Sequence, residues 1–374
     1  MREELVRIDD VQEAETRPLI QIRGRGAAHN PANRFVQMDF VPDYEHVDPD
    51  DEPAPRTVFL RDATRNVVAR NDSPDVGFSA SVNPYRGCEH GCIYCFARPT
   101  HEYFGLSAGL DFETKIFVKE DAPELLRQAL ASPRWMPEVI GMSGVTDCYQ
   151  PVERRLKLTR RCLEVLAEFR NPVTIVTKNH LVTRDVDILA EMAEWGGASV
   201  NVSITSLDEK LQRVMEPRTS TPKRRLDAVE TLAKAGVRVR VLAAPMIPGL
   251  NDHELASIIK ASADAGAKAA AYIPLRLPFV LKELFETWLA THFPDRKEKV
   301  LHHIREIRGG KLNDPNFGSR MRGEGPYADQ MAMLYRAACN KAGLNQEKML
   351  PPLNTSAFRR PHDRRGQLGL FEAA

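Results

Sequence analysis

From Phe78 onward, short runs of β-branched residues alternate with amphipathic stretches that are each long enough for one helix. The runs are SASVNP from Ser79, EVIGMSG from Glu138, VTIVTKN from Val173, ASVNVSIT from Ala198, VRVRVLAAP from Val237 and AKAAAYIPL from Ala267. A strand followed by a helix, repeated in this way, is the pattern of βα units on a parallel sheet. Between the runs, Leu156, Leu163, Leu166 and Phe169 fall on one helical face, and Leu226, Val229 and Leu232 on another. KIFV around Ile116 reads as an additional edge strand. Six units leave the architecture two short of a closed eight-stranded barrel.

The flanks have a different texture. Residues 1–76 carry few periodic apolar stretches and many Pro, Asp and Arg residues, which predicts an extended N-terminal arm. Within it, the glycines and arginines of Gly24–Phe35 either approach a phosphate or carboxylate through backbone amides or simply pack as a loop on the main domain. After Leu277 the apolar spacing becomes helical over Phe279–His292, Arg296–Arg308 and Tyr327–Ala342. The insertion RGGKLNDPNFGSRMRGEG lacks the spacing and preceding strand of a P-loop. It is expected to cover the open side of the barrel, with arginines able to meet a polyanion, or else to be a surface connector. The organisation is thus an arm (1–76), an α/β core (77–278), a helical region (279–350) and a flexible basic tail (351–374).

Composition narrows the class. The chain has 374 residues, 43% of them hydrophobic, and a formal charge of +1. No apolar stretch reaches the ~20 residues of a membrane span, because Pro245, Pro248 and Pro274 break the best candidates. The opening MREELVRIDDVQEAE has no apolar signal region, so a cytoplasmic, reducing location is expected. Acidic residues from Asp43 to Glu52 and basic ones at Arg359, Arg360, Arg364 and Arg365 read as solvated runs.

The chemistry is announced by Cys88, Cys92 and Cys95 in YRGCEHGCIYCFARPTH. Four thiolates close an iron–sulfur cubane for electron transfer, whereas three leave one iron open to an outside ligand. Gly87 and Gly91 let the backbone fold tightly around an inorganic core. Zinc, with His90 or His101 completing the set, is the alternative metal. Disulfides conflict with a reducing compartment.

The C-x3-C-x2-C spacing, with the aromatic Tyr94 before the last cysteine, resembles the cluster loop of radical S-adenosylmethionine (SAM) enzymes. The resemblance implies a [4Fe–4S] cluster on the three cysteines, SAM on the open iron, and an electron donor that drives cleavage of SAM to a 5′-deoxyadenosyl radical. It also implies a partial (β/α)6 TIM-like barrel, open on one side, with the cluster loop after the first strand. Working groups are then sought at the C-terminal strand ends. By the resemblance, Tyr94 is a candidate cofactor-binding residue, Thr146 and Asp147 are candidates for the SAM amine, and Lys178 is one for its carboxylate or ribose. Ser203 and Ser206 are candidates for ribose hydroxyls, and Ala243 and Ala244 for the adenine.

Within that superfamily the text from Val82 to Pro278, including NPYRGCEHGCIYC and ETKIFVKEDAP, is similar to the spore photoproduct lyase group, also described as DNA repair photolyase-like. That likeness implies DNA as substrate. The lyase pattern has a tyrosine after the last cluster cysteine and a hydrogen-donor cysteine upstream of the Thr-Asp pair, where this chain has Phe96 and Gly144. Cys148 is therefore the candidate hydrogen donor, whereas Cys162 and Cys339 lie in helical stretches as structural cysteines. In the tail, Gln367, Leu368, Leu370 and Phe371 resemble the peptide by which bacterial repair proteins attach to the sliding clamp. The functional expectation is radical chemistry on DNA. RNA, protein or a small metabolite is the alternative substrate, and a non-catalytic cluster-bearing clamp partner the alternative class.

Overall fold

The computed structural model describes residues 22–36, 55–346 and 351–361. Its strands are β1 (Val58–Arg61), β2 (Val68–Arg70), β3 (Ala80–Val82), β4 (Tyr85–Arg86), β5 (Lys115–Val118), β6 (Ile140–Met142), β7 (Val173–Thr177), β8 (Ala198–Ser203), β9 (Arg238–Met246) and β10 (Ala269–Pro274). The main sheet runs β10-β9-β8-β7-β6-β3-β2. Neighbours from β3 to β10 are all parallel, and β2 adds an antiparallel edge on β3. The order follows the chain, and among the described residues the two edge strands do not pair with each other. This is the mixed α/β architecture of an open, partial barrel.

Alternation along the strands sets the two faces. Val173 and Ile175 are fully buried, while the alternating Thr174 and Val176 are only partly so. Register pairs Val200 with Val239 and Val202 with Val241, so the valines line one side. Helices cover that side with Leu163, Leu166, Val229, Leu232 and Ile258. The opposite face is polar: Ser199 Oγ and Asn201 Nδ2 both reach Thr174 Oγ1 at 2.9 Å. Leu156 is not on the expected helix. Lys157 takes a left-handed conformation (φ 53°), which separates the short turn Glu153–Leu156 from the helix Leu158–Glu168.

Three expectations about the flanks change. KIFV is not an edge of the main sheet; as β5 it is the central strand of a separate sheet, parallel to β1 and antiparallel to β4. The boundary at 76 dissolves, because β2 lies before it and is hydrogen-bonded into the main sheet. The start of the basic tail is not free either. Arg359 N donates to Phe169 O (2.9 Å), Arg360 Nη2 donates to the carbonyls of Ser132 and Trp135 (3.1 Å each), and Asn354 N donates to Gly196 O (3.0 Å). Those acceptors precede β6, β7 and β8, so residues 351–361 run beneath the N-terminal ends of the strands. Gln367–Phe371 lies outside the described residues.

The helical region follows expectation, with helices Leu281–His292, Lys297–Glu306 and Pro326–Ala342. The insertion Arg308–Gly325 ties together the two edges of the barrel. Buried Arg308 donates to Pro274 O (3.1 Å) and Leu275 O (2.7 Å) after β10, and to Ser319 O and Arg320 O within the insertion. Arg320 Nε then pairs with Asp75 (2.5 Å), in the turn before β3. Among the described residues, no helix is long and apolar enough to cross a membrane.

Replacing Arg308 with Met removes charge-assisted donors from four carbonyls and is expected to cost roughly 3 kcal/mol. A lowered urea midpoint, with protease cutting first between Gly309 and Gly325, is the expected result. Unaltered protection of that insertion would show that Arg308 does not anchor it.

Candidate active site

The cysteine loop follows β3 and β4 and is folded by backbone bonds. Cys88 N donates to Phe112 O (2.9 Å), Ile93 N to Met215 O (3.1 Å) and Cys95 N to Cys92 O (3.2 Å). Gly87 has φ +78°, and a Cβ there would meet His101 Cε1 at 2.8 Å. Only glycine combines that dihedral with that proximity. Cys88 and Cys92 are buried and Cys95 is half-buried. Cys88 and Cys95 pack beside Ala97 and Phe112. Burial pushes all three thiols up, and the Lys178 ammonium draws those of Cys92 and Cys95 back down.

Behind the loop sits a buried ionic clamp. Arg98, fully enclosed, donates to the carbonyls of Cys92 (2.9 Å), Ala108 (3.2 Å) and Gly109 (2.9 Å) and forms an ion pair with Glu113. The Glu113 carboxylate also accepts the amides of Gly26 (3.0 Å) and Ala27 (2.9 Å). The glycine-rich arm therefore does cradle an anion through its amides, and the anion is the protein's own carboxylate. A Cβ on Gly26 would fall 1.8 Å from Gly91 O, which measures how closely arm and loop are stacked.

The loops after β6 and β8 hold the other flank. Gln150 Nε2 donates to Gly87 O (3.1 Å) and Gln150 Oε1 accepts Glu89 N (2.9 Å). Arg218 lies 3.2 Å from Glu89. His90 stands between Asp147 (Nδ1 to Oδ2, 3.3 Å) and Asn179 (3.1 Å). His101 is bonded to Lys115 O (2.9 Å) within an aromatic nest of Phe104, Phe112 and Phe117, and burial lowers its pKa to about 4. His90 is thus engaged through both ring nitrogens and His101 through Nε2 alone, its Nδ1 having no partner among the described residues. Among the described residues, no three His, Cys, Asp or Glu side chains converge on a single ion. Zinc draws its ligand atoms to about 2.3 Å or closer, whereas a cubane takes each thiolate on its own iron, so separated thiols on one loop fit the cluster.

The remaining expected residues divide into two groups. Lys178 follows β7 directly, and its Nζ lies 5.8 Å from the Tyr94 ring centroid with no ion pair among the described residues. Ser203 continues the face of Ser199 and Asn201 on β8, and Ala244 is half-buried on the corresponding face of β9. These groups can face a ligand. Thr146, Asp147, Ser206, Ala243 and Cys148 are committed elsewhere. Thr146 Oγ1 donates to Tyr85 O (2.7 Å). Asp147 accepts Thr177 Oγ1 (2.9 Å), Lys178 N (2.8 Å) and Tyr149 N (2.9 Å). Burial alone would raise its carboxyl, but His90 and those amides hold it below the usual carboxylate range. Ser206 Oγ donates to Glu254 (2.7 Å) and accepts Asp208 N (2.9 Å). Ala243 faces the helix side, in register with Tyr272. Cys148 is fully enclosed in the main core together with Cys162, and burial pushes its thiol well up, so its surroundings are those of a packing cysteine.

One group had no sequence signal. Glu216, fully buried after the helix Glu209–Met215, is paired with Arg225 and bonded to the Tyr94 hydroxyl and to Thr205 Oγ1 (2.7 Å). Burial would raise its carboxyl, but Arg225 and Lys178 hold it down. Tyr94 is therefore an anchor that joins the cysteine loop to the end of β8. Nothing in the spacing of Glu216 and Arg225 marks either residue in advance.

The chain belongs to the radical SAM superfamily. The model of that superfamily matches residues 82–261. An uncharacterized protein of Mycobacterium tuberculosis is 36% identical over 248 residues, which are 66% of this chain and 72% of that protein. An uncharacterized protein of Methanocaldococcus jannaschii is 31% identical over 173 residues, covering 46% of this chain and 62% of that one. Among solved structures, spore photoproduct lyase complexed with dinucleoside spore photoproduct is similar with a TM-score of 0.55 and 17% identity, over 76% of this chain and 79% of that one. At that identity the likeness is one of fold. The cofactors of the superfamily are a [4Fe–4S] cluster and SAM, and this chain is a radical SAM enzyme.

Removing the Glu113 carboxylate leaves Arg98 charged and unpaired in the interior, and Glu113→Ala is expected to cost about 3–5 kcal/mol. Chemical denaturation should show the loss, with the arm released to proteolysis at Arg23 and Arg25. A wild-type midpoint would remove the clamp from this account.

Proposed function

We propose that Cys88, Cys92 and Cys95 hold the cluster, that Lys178 binds the carboxylate of SAM, and that the radical acts on a nucleotide of DNA. The observation that carries the SAM assignment is the Lys178 ammonium, which makes no ion pair among the described residues and lies close enough to the thiols of Cys92 and Cys95 to shift them. When bound, cluster and SAM together supply a 5′-deoxyadenosyl radical. Ser203, on the polar face of β8, offers its hydroxyl to the ribose side of such a ligand. Asp147 and His90 act indirectly by fixing the backbone of Lys178 and the cysteine loop.

DNA as substrate, in repair or modification, is supported by the lyase fold, solved with a dinucleoside photoproduct, and by the lyase-like motifs of this sequence. The lyase-type hydrogen relay is not carried over. Phe96 has no hydroxyl, and a Cβ on Gly144 would already lie 3.2 Å from Ser81 Cβ. Cys148 is too enclosed to replace it. The reaction we propose is therefore radical chemistry on a base without that relay. The tail reading belongs to the same proposal. Residues 351–361 pass beneath the N-terminal ends of the strands, and the proposed clamp peptide Gln367–Phe371 follows them in sequence.

Alanine at any one of the three cysteines should abolish the cluster's visible absorbance and 5′-deoxyadenosine release under reduction, and retained zinc without cleavage would overturn the reading. Lys178→Met should keep the absorbance while weakening SAM binding by about 1.5–3 kcal/mol, the worth of a charge-assisted hydrogen bond. Unchanged affinity would place the SAM carboxylate elsewhere. Replacing both Leu370 and Phe371 by alanine should abolish sliding-clamp binding in calorimetry, and a wild-type chain without clamp affinity would end that part.

A further inference from the structure

Aromatic rings and arginines alternate along the surface beside the cysteine loop. Tyr103, 72% exposed, stacks on Phe35, 56% exposed, with centroids 5.0 Å apart. The Arg34 guanidinium covers Phe35 at 5.0 Å and Phe279 at 3.8 Å, and Phe279 is 59% exposed. Three residues before Phe279, Arg276 lies 5.8 Å from the ring of Phe96, which is 53% exposed and follows Cys95 directly. Beyond it, Arg320 lies 4.2 Å from the Phe317 ring. Residues from the arm, the cysteine loop, the end of β10 and the insertion thus contribute to one strip that passes the rim of the site.

Large rings left in water lose the burial that ordinarily places them inside. Here Phe35, Phe279, Phe96 and Phe317 each have a guanidinium within 5.8 Å of the ring centre, and Tyr103 stacks on Phe35. Arg34 and Arg320 already have carboxylates, Glu102 and Asp75, but Arg276 has a buried Nε without a partner and makes no ion pair among the described residues. Its Nη1 reaches Met321 Sδ at 3.5 Å. A cation of this kind favours an anionic occupant, and exposed rings in series favour flat, unpaired bases.

We infer that this strip binds an unpaired nucleic-acid strand, stacking bases on Tyr103, Phe35, Phe279 and Phe96 and placing a phosphate on Arg276, so that the target nucleotide enters the site out of the duplex. The inference deepens the DNA reading above and rests on it for the sugar. Bases inside a duplex present edges rather than faces, so a stacking strip selects unpaired DNA.

The test is fluorescence anisotropy of cluster-loaded full-length protein with three probes: an oligothymidylate of about twelve nucleotides, the matching oligouridylate, and a blunt duplex of similar length. Oligothymidylate should bind more tightly than duplex, with affinity falling steeply as salt rises. Tyr103→Leu and Phe279→Leu keep an apolar side chain but remove the ring, and each should weaken oligothymidylate binding about tenfold, whereas Tyr103→Trp should restore it. Cluster absorbance and urea midpoints of these variants report on folding. Duplex binding as tight as single-strand binding, or leucine variants as tight as wild type, would overturn the strip while leaving the DNA reading intact. A clear preference for oligouridylate, lost in the same variants, would support the strip and overturn DNA as the substrate.

Discussion

The Glu113 carboxylate is the point on which the architecture of the site turns. It is fully buried, and its charge is answered by Arg98 on the cysteine side and by two amides of the glycine-rich arm on the other. A buried charge is tolerated only when its hydrogen-bonding capacity is filled. Three segments far apart in sequence are thereby held in one geometry: the arm at 26–27, the loop at Cys92–Arg98 and the turn that leads into β5. Because Arg98 spends its other donors on loop carbonyls, the backbone around the thiols is satisfied from within. The thiols of Cys88 and Cys95 meet only backbone amides, those of His90 and Ala97, and none of the three is held by a side-chain hydrogen bond among the described residues.

A second buried pair, Glu216 with Arg225, performs the corresponding task on the far flank. It reaches the loop through Tyr94 and reaches the end of β8 through Thr205. Lys178, 5.8 Å from the Tyr94 ring, makes no ion pair among the described residues. The contrast is informative. Where arm, loop and strand ends are braced the charges are paired, whereas Lys178, the residue proposed to meet SAM, makes no ion pair among the described residues. Asp147 belongs to the first kind, although its position at a strand end looks like the second.

The parallel sheet, the three cysteines and the C-terminal helices were legible in the sequence because each has a local signature. Valine alternation in β7 to β9 survives any detail of packing, and cysteine spacing records ligand geometry directly. Less legible were the partners of polar residues. Thr146, Asp147 and Ser206 occupy strand ends where ligands bind in parallel architectures, yet their donors and acceptors are taken by Tyr85, His90 and Glu254. Cys148 follows Asp147, but the chain turns so that its thiol enters the core. KIFV has the composition of a strand, and only the course of the arm decided that β1 would be its neighbour.

By itself, then, the sequence determined the class of fold and the metal chemistry, since hydrophobic period and thiolate spacing are one-dimensional properties that any compatible fold must respect. Tertiary structure decided which charges are spent and which are free. That depends on distances between segments separated by 87 residues, as with Gly26 and Glu113, or 122, as with Tyr94 and Glu216. It also depends on solvent access, which sets the worth of each charge and has no local trace in the chain.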